Sequence, residues 1–246
     1  MKQFGLIGMP LSHSFSKKFF TDKFESELID ARYDLFELKN IADLSLLLSQ
    51  TEISGLNVTI PYKEKVIEFL DELDETALHI GAVNVIKFIR NNGNLRLKGF
   101  NSDAIGFENS LAPYLKPSHS KALILGTGGA SKAIDFVLQK RNIRTCFVSR
   151  FEKPDMLTYS QLNKSIIDKY TLIINASPVG TYPNSDKYPD IPYQFLTKNH
   201  LLFDVVYNPT ETVFLKKGRQ QGAIGINGEQ MLVGQALAAW EIWNLA

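Results

Sequence analysis

Residues 121–131 read K-A-L-I-L-G-T-G-G-A-S, and this stretch decides the fold class of the chain. An apolar run ends abruptly in three glycines within four positions, and small residues that can open a helix follow. A buried parallel strand turns in this way over a dinucleotide's pyrophosphate, because glycine permits a tight turn and close backbone approach at a helix N-terminus. The stretch therefore predicts an α/β protein with a dinucleotide-binding sheet.

Length and composition limit the number of domains and the classes of partner that the chain can have. The 246 residues allow one large domain or two modest ones. A net charge of +1, with no long run of one sign, argues against nucleic-acid or membrane-surface binding. The single cysteine, Cys146, cannot form an internal disulfide. The N-terminal M-K-Q-F-G-L-I-G-M-P lacks the features of a signal peptide, and no window approaches roughly 18 consecutive apolar residues. We therefore expect a cytoplasmic protein.

The strand after the glycines indicates which dinucleotide is bound. It ends at Ser149-Arg150, with Lys153 close behind. An NAD-selective site usually has an acidic residue about 20 residues past the glycines, whereas a guanidinium pairs with the 2′-phosphate of NADP. Glu152 is the one conflicting charge. The pattern favours NADP.

The turn at residues 12–16, S-H-S-F-S, follows a short strand at Phe4–Gly8 and precedes a predicted helix at Lys17–Leu28. One of its serines is expected to cap that helix. Three serines and a histidine in five positions are more polar groups than one cap needs. The turn is therefore either a helix cap or a ligand site.

Residues 57–63 read N-V-T-I-P-Y-K and predict a strand running into a helix, with Pro61 in the first helical turn. Asn57 and Thr59 are two residues apart and share one face of the strand. Lys63 follows at the carboxyl end of the strand, where α/β proteins place ligands. The alternative is a solvated lysine on an exposed turn.

Two further polar residues stand out in apolar surroundings. Asn84 lies inside a predicted strand, so its amide must be hydrogen-bonded or face a cleft, because a buried unpaired amide costs about 1–3 kcal/mol. Asp103 directly precedes a helix at Ala104–Leu111, where it is either a functional carboxylate or only an N-cap.

Together these stretches resemble the shikimate dehydrogenase family, and the resemblance covers essentially the whole chain. The matching motifs, in chain order, are Ser12–Ser16, Asn57–Lys63, Gly81–Asn84, Asn101–Asp103, Gly126–Ser131, Asn175–Ser177, Asp204–Pro209 and Met231–Gln235.

The resemblance implies an α/β fold of two domains. A substrate domain with a mixed, mostly parallel sheet would span residues 1–102 plus 228–246, so that the C-terminal helix returns to it. A Rossmann NADP-binding domain would span residues 103–227. The implied reaction is the reversible NADP-linked reduction of 3-dehydroshikimate to shikimate in aromatic amino-acid biosynthesis, by a monomer or homodimer.

The resemblance also assigns roles to positions of this chain. The catalytic pair would be Lys63 and Asp103. The substrate site would be lined by Ser14, Ser16, Thr59, Asn84, Tyr207 and Gln235. The cofactor would be held by Gly126, Thr127, Gly128, Gly129 and Ala130 at the pyrophosphate, by Ser149, Arg150 and Lys153 at the 2′-phosphate, and by Val205 and Gly228 near the nicotinamide.

The residue types at these positions suit the reduction of a ketone by hydride. Hydride delivery to a ketone leaves a developing alkoxide, which needs a proton or a cation within hydrogen-bond reach, and lysine provides either. Neutral hydroxyl and amide groups suit a polyol acid. Four scattered histidines and one cysteine show no metal-ligand spacing, so no metal is expected.

The chain departs from the family pattern at several positions. Ser149-Arg150-Phe151 replaces the usual Asn-Arg-Thr, and Asn101-Ser102-Asp103 replaces Asn-Thr-Asp. Asn227-Gly228-Glu229-Gln230 replaces Asp-Gly-X-Gly, which puts side chains near the expected nicotinamide region. Many relatives continue beyond the position of Ala246, which predicts looser packing of the helix that carries Gln235.

Two other functions stay open from the sequence. One is a quinate/shikimate dehydrogenase with broader substrate or NAD use, against which Arg150 and Lys153 argue. The other is a non-catalytic paralogue that binds a nucleotide or a shikimate-like ligand. In such a paralogue we would expect loss of Lys63 or Asp103, and both are present.

Overall fold

A computed structural model gives the fold of residues 1–12, 14–49, 53–91 and 93–245. One predicted feature, His13 in the serine-rich turn, lies outside these residues. The chain divides into two compact units, one of Met1–Ser102 with Ala236–Ala246 and one of Asp103–Gln235. The division near the C-terminus falls within the last helix, whereas the sequence places a boundary between residues 227 and 228, at the start of that helix.

The first unit alternates strands with short helices. Its elements are β1 (Lys2–Gly8), α1 (Phe15–Ser26), β2 (Ala31–Glu37), α2 (Leu44–Leu48), β3 (Ile53–Val58), β4 (Glu72–Leu73), α3 (Glu75–Ile80), β5 (Val85–Asn91) and β6 (Asn94–Phe100). They form a sheet in the order β2-β1-β3-β5-β6-β4. The β1–β2, β1–β3 and β4–β6 pairs are parallel, and β5 is antiparallel to both neighbours. The predicted mixed, mostly parallel sheet is confirmed.

Side chains of β1 alternate between two cores, as the two-residue period of a strand requires. Phe4 and Leu6 pack into an aromatic core with Phe20 of α1 and Trp243 near the C-terminus. Ile7 points to the opposite face and joins an aliphatic core that contains residues of α2, β3 and β5. Both faces of the sheet are therefore covered at β1.

Trp243 is the anchor of the C-terminal segment in this unit. Its ring stacks on Phe4 with centroids 4.7 Å apart, and its indole N–H donates to the carbonyl of Ile86 over 3.2 Å. Gly55 makes room for the ring, since a Cβ at that position would lie 2.4 Å from Trp243 Cδ1.

We expect Trp243→Ala to lower the free energy of unfolding by about 3–5 kcal/mol, because it opens a cavity in the aromatic core. Trp243→Phe should cost less, since a ring remains and only the bond to the Ile86 carbonyl is lost. Urea unfolding followed by circular dichroism measures both. Equal midpoints for the Ala and Phe variants would mean that the ring contributes nothing beyond its hydrogen bond.

The segment after β3 corrects the predicted helix at Pro61. No α-helix starts there: turns lie at residues 60–61 and 63–64, and a 3₁₀ helix follows at Lys65–Phe69. The amide of Tyr62 donates to the Thr59 carbonyl over 2.9 Å, and the Tyr62 hydroxyl donates to the Leu38 carbonyl over 2.6 Å. This long-range bond holds the segment in a turn, and a local pattern does not reveal it.

The second unit is the predicted dinucleotide-binding sheet. It begins with α4 (Ser102–Leu111), whose first residue lies at the boundary. The elements that follow are β7 (Lys121–Leu125), α5 (Gly129–Lys140), β8 (Arg144–Ser149), β9 (Leu157–Thr158), α6 (Lys164–Lys169), β10 (Leu172–Asn175), β11 (Leu201–Asp204), α7 (Val213–Gln220), β12 (Ile224–Ile226) and α8 (Glu229–Asn244). The sheet order is β12-β11-β10-β7-β8-β9, and all its pairs are parallel.

This strand order is that of a Rossmann sheet, in which the chain starts at β7, moves outward to β9, then returns to β10 on the other side. Ligands bind at the carboxyl ends of the strands where the order reverses, here between β7 and β10. The glycine turn follows β7, so it lies at this switch point. The predicted fold class is confirmed.

The start of α8 packs in the second unit. Its Gly234 faces Gly106 of α4, and a Cβ on Gly106 would lie 2.4 Å from the Met231 carbonyl and 2.8 Å from the Gln235 nitrogen. The two backbones touch only because both residues are glycines. This contact explains why the compact units divide inside α8 rather than before it.

Candidate active site

One edge of the first sheet gathers several of the predicted substrate residues. Since β1 and β3 are parallel and β5 is antiparallel to β3, the ends of β1 and β3 and the start of β5 share this edge. The Thr59 amide donates to the Ile7 carbonyl, and the Thr59 methyl packs where Gly8 has no Cβ. Asn84 directly precedes β5, and its carbonyl accepts from Val58 over 2.9 Å. The structure therefore brings Thr59 and Asn84 to the same edge.

The two predicted serines have different surroundings. Ser14 is the N-cap of α1, and its hydroxyl accepts from the Lys17 amide over 3.3 Å. Ser16 lies in the first turn of the helix. Burial raises the pKa of Tyr33 and the Ser16 hydroxyl opposes that rise, so the phenol is neutral. Capping thus accounts for Ser14, whereas Ser16 lies near a second polar group that begins at Tyr33.

That second group is a chain of buried side chains. The Tyr33 hydroxyl donates to Asn57 Oδ1 over 2.7 Å, and Asn57 Nδ2 donates to the Asn84 carbonyl over 3.2 Å. Asn84 Nδ2 then donates to Ser102 Oγ over 3.0 Å, while the Ser102 amide donates to Asn84 Oδ1 over 2.7 Å. The Asn84 amide is therefore hydrogen-bonded, the first of the two possibilities that its apolar surroundings allow.

Sequence reasoning did not find Tyr33 or Ser102. The signal for Tyr33 is weak, because a tyrosine is common in a half-buried strand. Its partner Asn57 is the stronger signal, because a buried asparagine requires a long-range donor.

Lys63 sits in the turn after β3 with its backbone fixed. The Val83 amide donates to the Lys63 carbonyl over 2.7 Å, and the neighbouring Tyr62 is bonded to Leu38. The Lys63 side chain is half-buried, which differs from the fully solvated lysine that was the alternative. The turn therefore holds the backbone of a half-buried lysine at a defined position of the first unit.

Asp103 belongs to the second unit and lies in the first turn of α4. The helix begins at Ser102, so Asp103 is inside it, and the interpretation of Asp103 as only an N-cap is wrong. Its side chain is buried, with 7% exposed. A carboxylate in the first helical turn is stabilised by the helix dipole. The Gly106–Gly234 contact lies one turn further along, and it fixes this helix against the residue next to Gln235.

The glycine turn has the geometry that its sequence predicts. Gly126 has φ of 125°, a conformation that favours glycine, and a Cβ there would lie 3.1 Å from the Ala176 carbonyl. Gly128 is the N-cap of α5, and a Cβ on it would meet nothing within 4 Å. The third position of the fingerprint is Ser131, whose hydroxyl bonds back to the Gly128 carbonyl over 2.6 Å. An anion can approach this helix N-terminus closely, so the turn fits a dinucleotide pyrophosphate.

The segment after β8 presents two cations. Arg150 and Lys153 are exposed, and the Arg150 guanidinium carbon lies 6.0 Å from the centre of the Phe151 ring, which is 71% exposed. Ser149 Oγ accepts from the Phe151 amide over 3.3 Å and shapes the turn. Among the described residues, no ion pair engages Arg150 or Lys153. The guanidinium is available for a phosphate.

A cavity of about 480 Å³ adjoins Lys153. It is lined by Glu152, Lys153, Pro154, Met156 and Gln161. The walls belong to the loop after β8 and to the 3₁₀ helix at Tyr159–Gln161. Lys153 therefore borders open space in the loop that also carries Arg150.

The loop after β11 carries Val205 and Tyr207. Gly228 packs directly on this loop: a Cβ there would lie 2.2 Å from the Val205 carbonyl oxygen, and the Gly228 amide donates to the Val206 carbonyl over 3.1 Å. Tyr207 is partly exposed, and burial raises the pKa of its phenol. Any side chain at 228 would displace the loop, which explains the glycine.

The described part of the chain shows neither a group of His, Cys, Asp and Glu side chains that could hold a metal ion nor a helix long and apolar enough to cross a membrane. Cys146 is free and half-buried.

Comparisons with known proteins identify the family. Residues 6–86 match the family model described as the shikimate dehydrogenase substrate binding domain. The shikimate dehydrogenase (NADP(+)) of Methanosphaera stadtmanae is 36% identical over 260 residues, covering 98% of this chain and 90% of that protein. Among solved structures, the shikimate dehydrogenase of Aquifex aeolicus is 32% identical with a TM-score of 0.86, covering 99% of this chain and 92% of that one.

A second solved structure is the Thermus thermophilus shikimate 5-dehydrogenase in complex with NADP(H) and shikimate. It is 28% identical, with a TM-score of 0.86, and covers 99% of this chain and 94% of that one. Both units of the chain therefore have counterparts in these relatives. The chain belongs to the shikimate dehydrogenase family.

Proposed function

We propose that this chain catalyses the reversible NADP-linked reduction of 3-dehydroshikimate to shikimate in aromatic amino-acid biosynthesis. The observation that carries the proposal is the length of the match. Relatives that are named shikimate dehydrogenase (NADP(+)) match nearly the whole chain, and not the Rossmann unit alone. The geometry of each unit supports it. The second unit offers a dinucleotide turn followed by cations, and the first gathers polar side chains at one sheet edge.

The residues of the second unit fit NADP. Bound NADPH would supply the hydride. We propose that Gly126–Ala130 hold the pyrophosphate, because the open space over Gly128 leaves the start of α5 accessible. Ser149, Arg150 and Lys153 would bind the 2′-phosphate, and Val205 and Gly228 would border the nicotinamide.

Substrate binding needs groups that match a carboxylate and several hydroxyls. The proposed substrate residues, carried over from the family motifs, are Ser14, Ser16, Thr59, Asn84, Tyr207 and Gln235. All are neutral, as suits hydrogen bonding to a polyol, and a substrate that lacks a matching hydroxyl would leave one of them unpaired.

Lys63 and Asp103 would perform the proton chemistry. As the carbonyl oxygen of the substrate gains negative charge, the Lys63 ammonium stabilises it and donates a proton. In the reverse direction Lys63 accepts that proton. Asp103 accepts a hydrogen bond from the neighbouring substrate hydroxyl and fixes its orientation. The fixed backbone of Lys63 supports this role, because it holds the start of the side chain in one place.

The proposal includes the location, the oligomeric state and the partners of the enzyme. We place the enzyme in the cytoplasm, as a monomer or homodimer that binds small molecules and no nucleic acid. The near-balanced charge of the chain, +1, supports the absence of a nucleic-acid partner.

A kinetic comparison of two substrates and two cofactors tests this function. We expect kcat/KM for shikimate with NADP to exceed that of quinate with NADP, and that of shikimate with NAD, by about tenfold or more, since the polar groups and Arg150 each recognise one feature. The initial rate of nicotinamide reduction is the measurement. A preference for quinate with NAD would favour the broader enzyme, and binding of both ligands without turnover would favour a non-catalytic paralogue.

A further inference from the structure

Asp204 is a buried carboxylate that the proposed chemistry does not use. It ends β11, and its side chain is fully buried. Its Oδ1 accepts from Asn175 Nδ2 over 2.9 Å and from the Val206 amide over 3.0 Å, and its Oδ2 accepts from the Thr212 hydroxyl over 2.6 Å. Three donors thus converge on one carboxylate at the cofactor edge of the Rossmann sheet.

Asn175 extends this arrangement into the loop after β10. Its Nδ2 also donates to the Val179 carbonyl over 3.1 Å, while its Oδ1 accepts from the Ser177 hydroxyl over 2.6 Å and from the Ser177 amide over 3.2 Å. Every donor and acceptor of the Asn175 amide is therefore engaged. We call Asn175, Ser177, Asp204 and Thr212 the Asp204 network.

Thr212 connects the network to a third segment. It is the N-cap of α7, and its hydroxyl oxygen accepts from the Leu215 amide over 3.3 Å while the hydroxyl donates to Asp204. The loop after β10, the loop after β11 and the start of α7 are held by the same carboxylate. Removing it would leave buried donors without partners in all three.

The backbones that the network holds are those nearest the proposed cofactor residues. The Val205 carbonyl, one residue after Asp204, is the atom against which Gly228 packs. The Ala176 carbonyl, one residue after Asn175, faces Gly126, but the Gly126 amide has its own bond to the Val148 carbonyl over 3.1 Å. A shift of the loop after β11 would therefore move a residue that is proposed to border the nicotinamide, while the glycine turn keeps this bond.

We propose that Asp204 is a positioning residue that, through Asn175 and Thr212, fixes the nicotinamide side of the cofactor site. The inference rests on the proposed function for the identity of the cofactor. Asp204 touches neither reactant: it acts on the loop that carries Val205 and Tyr207. Misplacement of a reacting group by about 1 Å can cost a hundredfold in rate, which gives such a residue a large effect on turnover.

Burial raises the pKa of Asp204 to about 6, and its three hydrogen bonds act against that rise. Assays at pH 8 therefore keep the carboxylate ionised. They compare the network in one protonation state, so that differences between variants report on the hydrogen bonds.

The test compares a probe that reaches the nicotinamide side with one that does not. NADP carries both the 2′-phosphate and the nicotinamide, whereas adenosine 2′,5′-bisphosphate has the 2′-phosphate without the nicotinamide. For Asp204→Ala we expect kcat to fall by about a hundredfold and NADP to bind about tenfold more weakly in calorimetry, while the bisphosphate binds within about twofold of wild type. Asp204→Asn keeps one carbonyl oxygen for Asn175 and Val206, so its kcat should fall by less than about tenfold.

Thr212 provides a second pair of variants if Asp204→Ala does not fold. Thr212→Val removes the hydroxyl and should lower kcat about tenfold, whereas Thr212→Ser keeps the hydroxyl and should stay within about twofold of wild type. Bisphosphate affinity should be unchanged in both.

Parallel losses of bisphosphate affinity and kcat would overturn the proposal, because they indicate general damage to the unit. Wild-type kcat in Asp204→Ala, or in Thr212→Val where the first variant does not fold, would overturn it as well. If wild-type protein oxidises no shikimate, the proposed function fails, and the NADP and bisphosphate titrations still decide whether Asp204 acts on the nicotinamide side.

Discussion

Replacing Lys63 by alanine should lower kcat for shikimate oxidation about a thousandfold and leave NADP affinity within about twofold of wild type. A positioned general acid or base contributes about 10²–10⁴-fold to a rate, and Lys63 is proposed to provide both the proton and the positive charge at the reacting oxygen. The cofactor contacts are proposed on residues of the second unit, which explains why binding of NADP should not change.

The fold should tolerate this substitution. Two of the bonds that hold the turn are made by the Lys63 carbonyl and by the Tyr62 hydroxyl, and both remain when the lysine side chain is removed. Steady-state kinetics with shikimate and a calorimetric NADP titration are the two measurements.

Lys65→Ala is the matched control. It removes the same charge two residues away from an exposed position at the start of the 3₁₀ helix. We expect wild-type kcat for this variant. Retention of full activity in Lys63→Ala would remove Lys63 from the mechanism, and equal losses in both variants would point to the net charge of this surface rather than to one ammonium.

The Rossmann sheet could be predicted because its signals are local. A single stretch, Lys121–Ser131, contains the buried strand, the tight turn and the start of the helix, and each depends only on nearby residues. Arg150 could be predicted equally well, since its place is set by the end of the following strand. The residues of the second unit that we propose as functional therefore lie at places that short sequence patterns predict.

The first unit shows where local patterns fail. The turn after β3 depends on a bond between Tyr62 and Leu38, which are 24 residues apart, so the sequence around Pro61 predicts a helix that does not form. The Tyr33–Asn57 bond spans the same separation. The sequence indicated that Asn84 needs a partner but not that the partner is Ser102, because only the folded sheet brings them together.

The last helix has a feature that its sequence pattern does not reveal. Its composition indicates one amphipathic helix and gives no reason to divide it. The division arises from contacts at both ends: Gly234 meets Gly106 in one unit, and Trp243 stacks on Phe4 in the other. A boundary inside a continuous helix becomes visible only in the packing.

Replacing Arg150 by alanine should reduce kcat/KM for NADP about a hundredfold, mainly through KM, and leave kcat/KM for NAD within about twofold. A bidentate arginine–phosphate pair is roughly twice as strong as a neutral hydrogen bond, and loss of about 3 kcal/mol corresponds to a factor of about 100. NAD has no 2′-phosphate, so it loses nothing. Initial rates with shikimate saturating and each cofactor varied provide the measurement.

Two features of the loop make this experiment discriminating. Arg150 is exposed and without an ion pair among the described residues, so its loss should leave the fold intact; its nearest aromatic contact, Phe151, is also at the surface. Arg144→Ala is the control, because this exposed arginine lies at the opposite end of the same strand, β8. If NADP and NAD decline equally in Arg150→Ala, then Lys153 rather than Arg150 distinguishes the cofactors, and Lys153→Ala should show the selective loss instead.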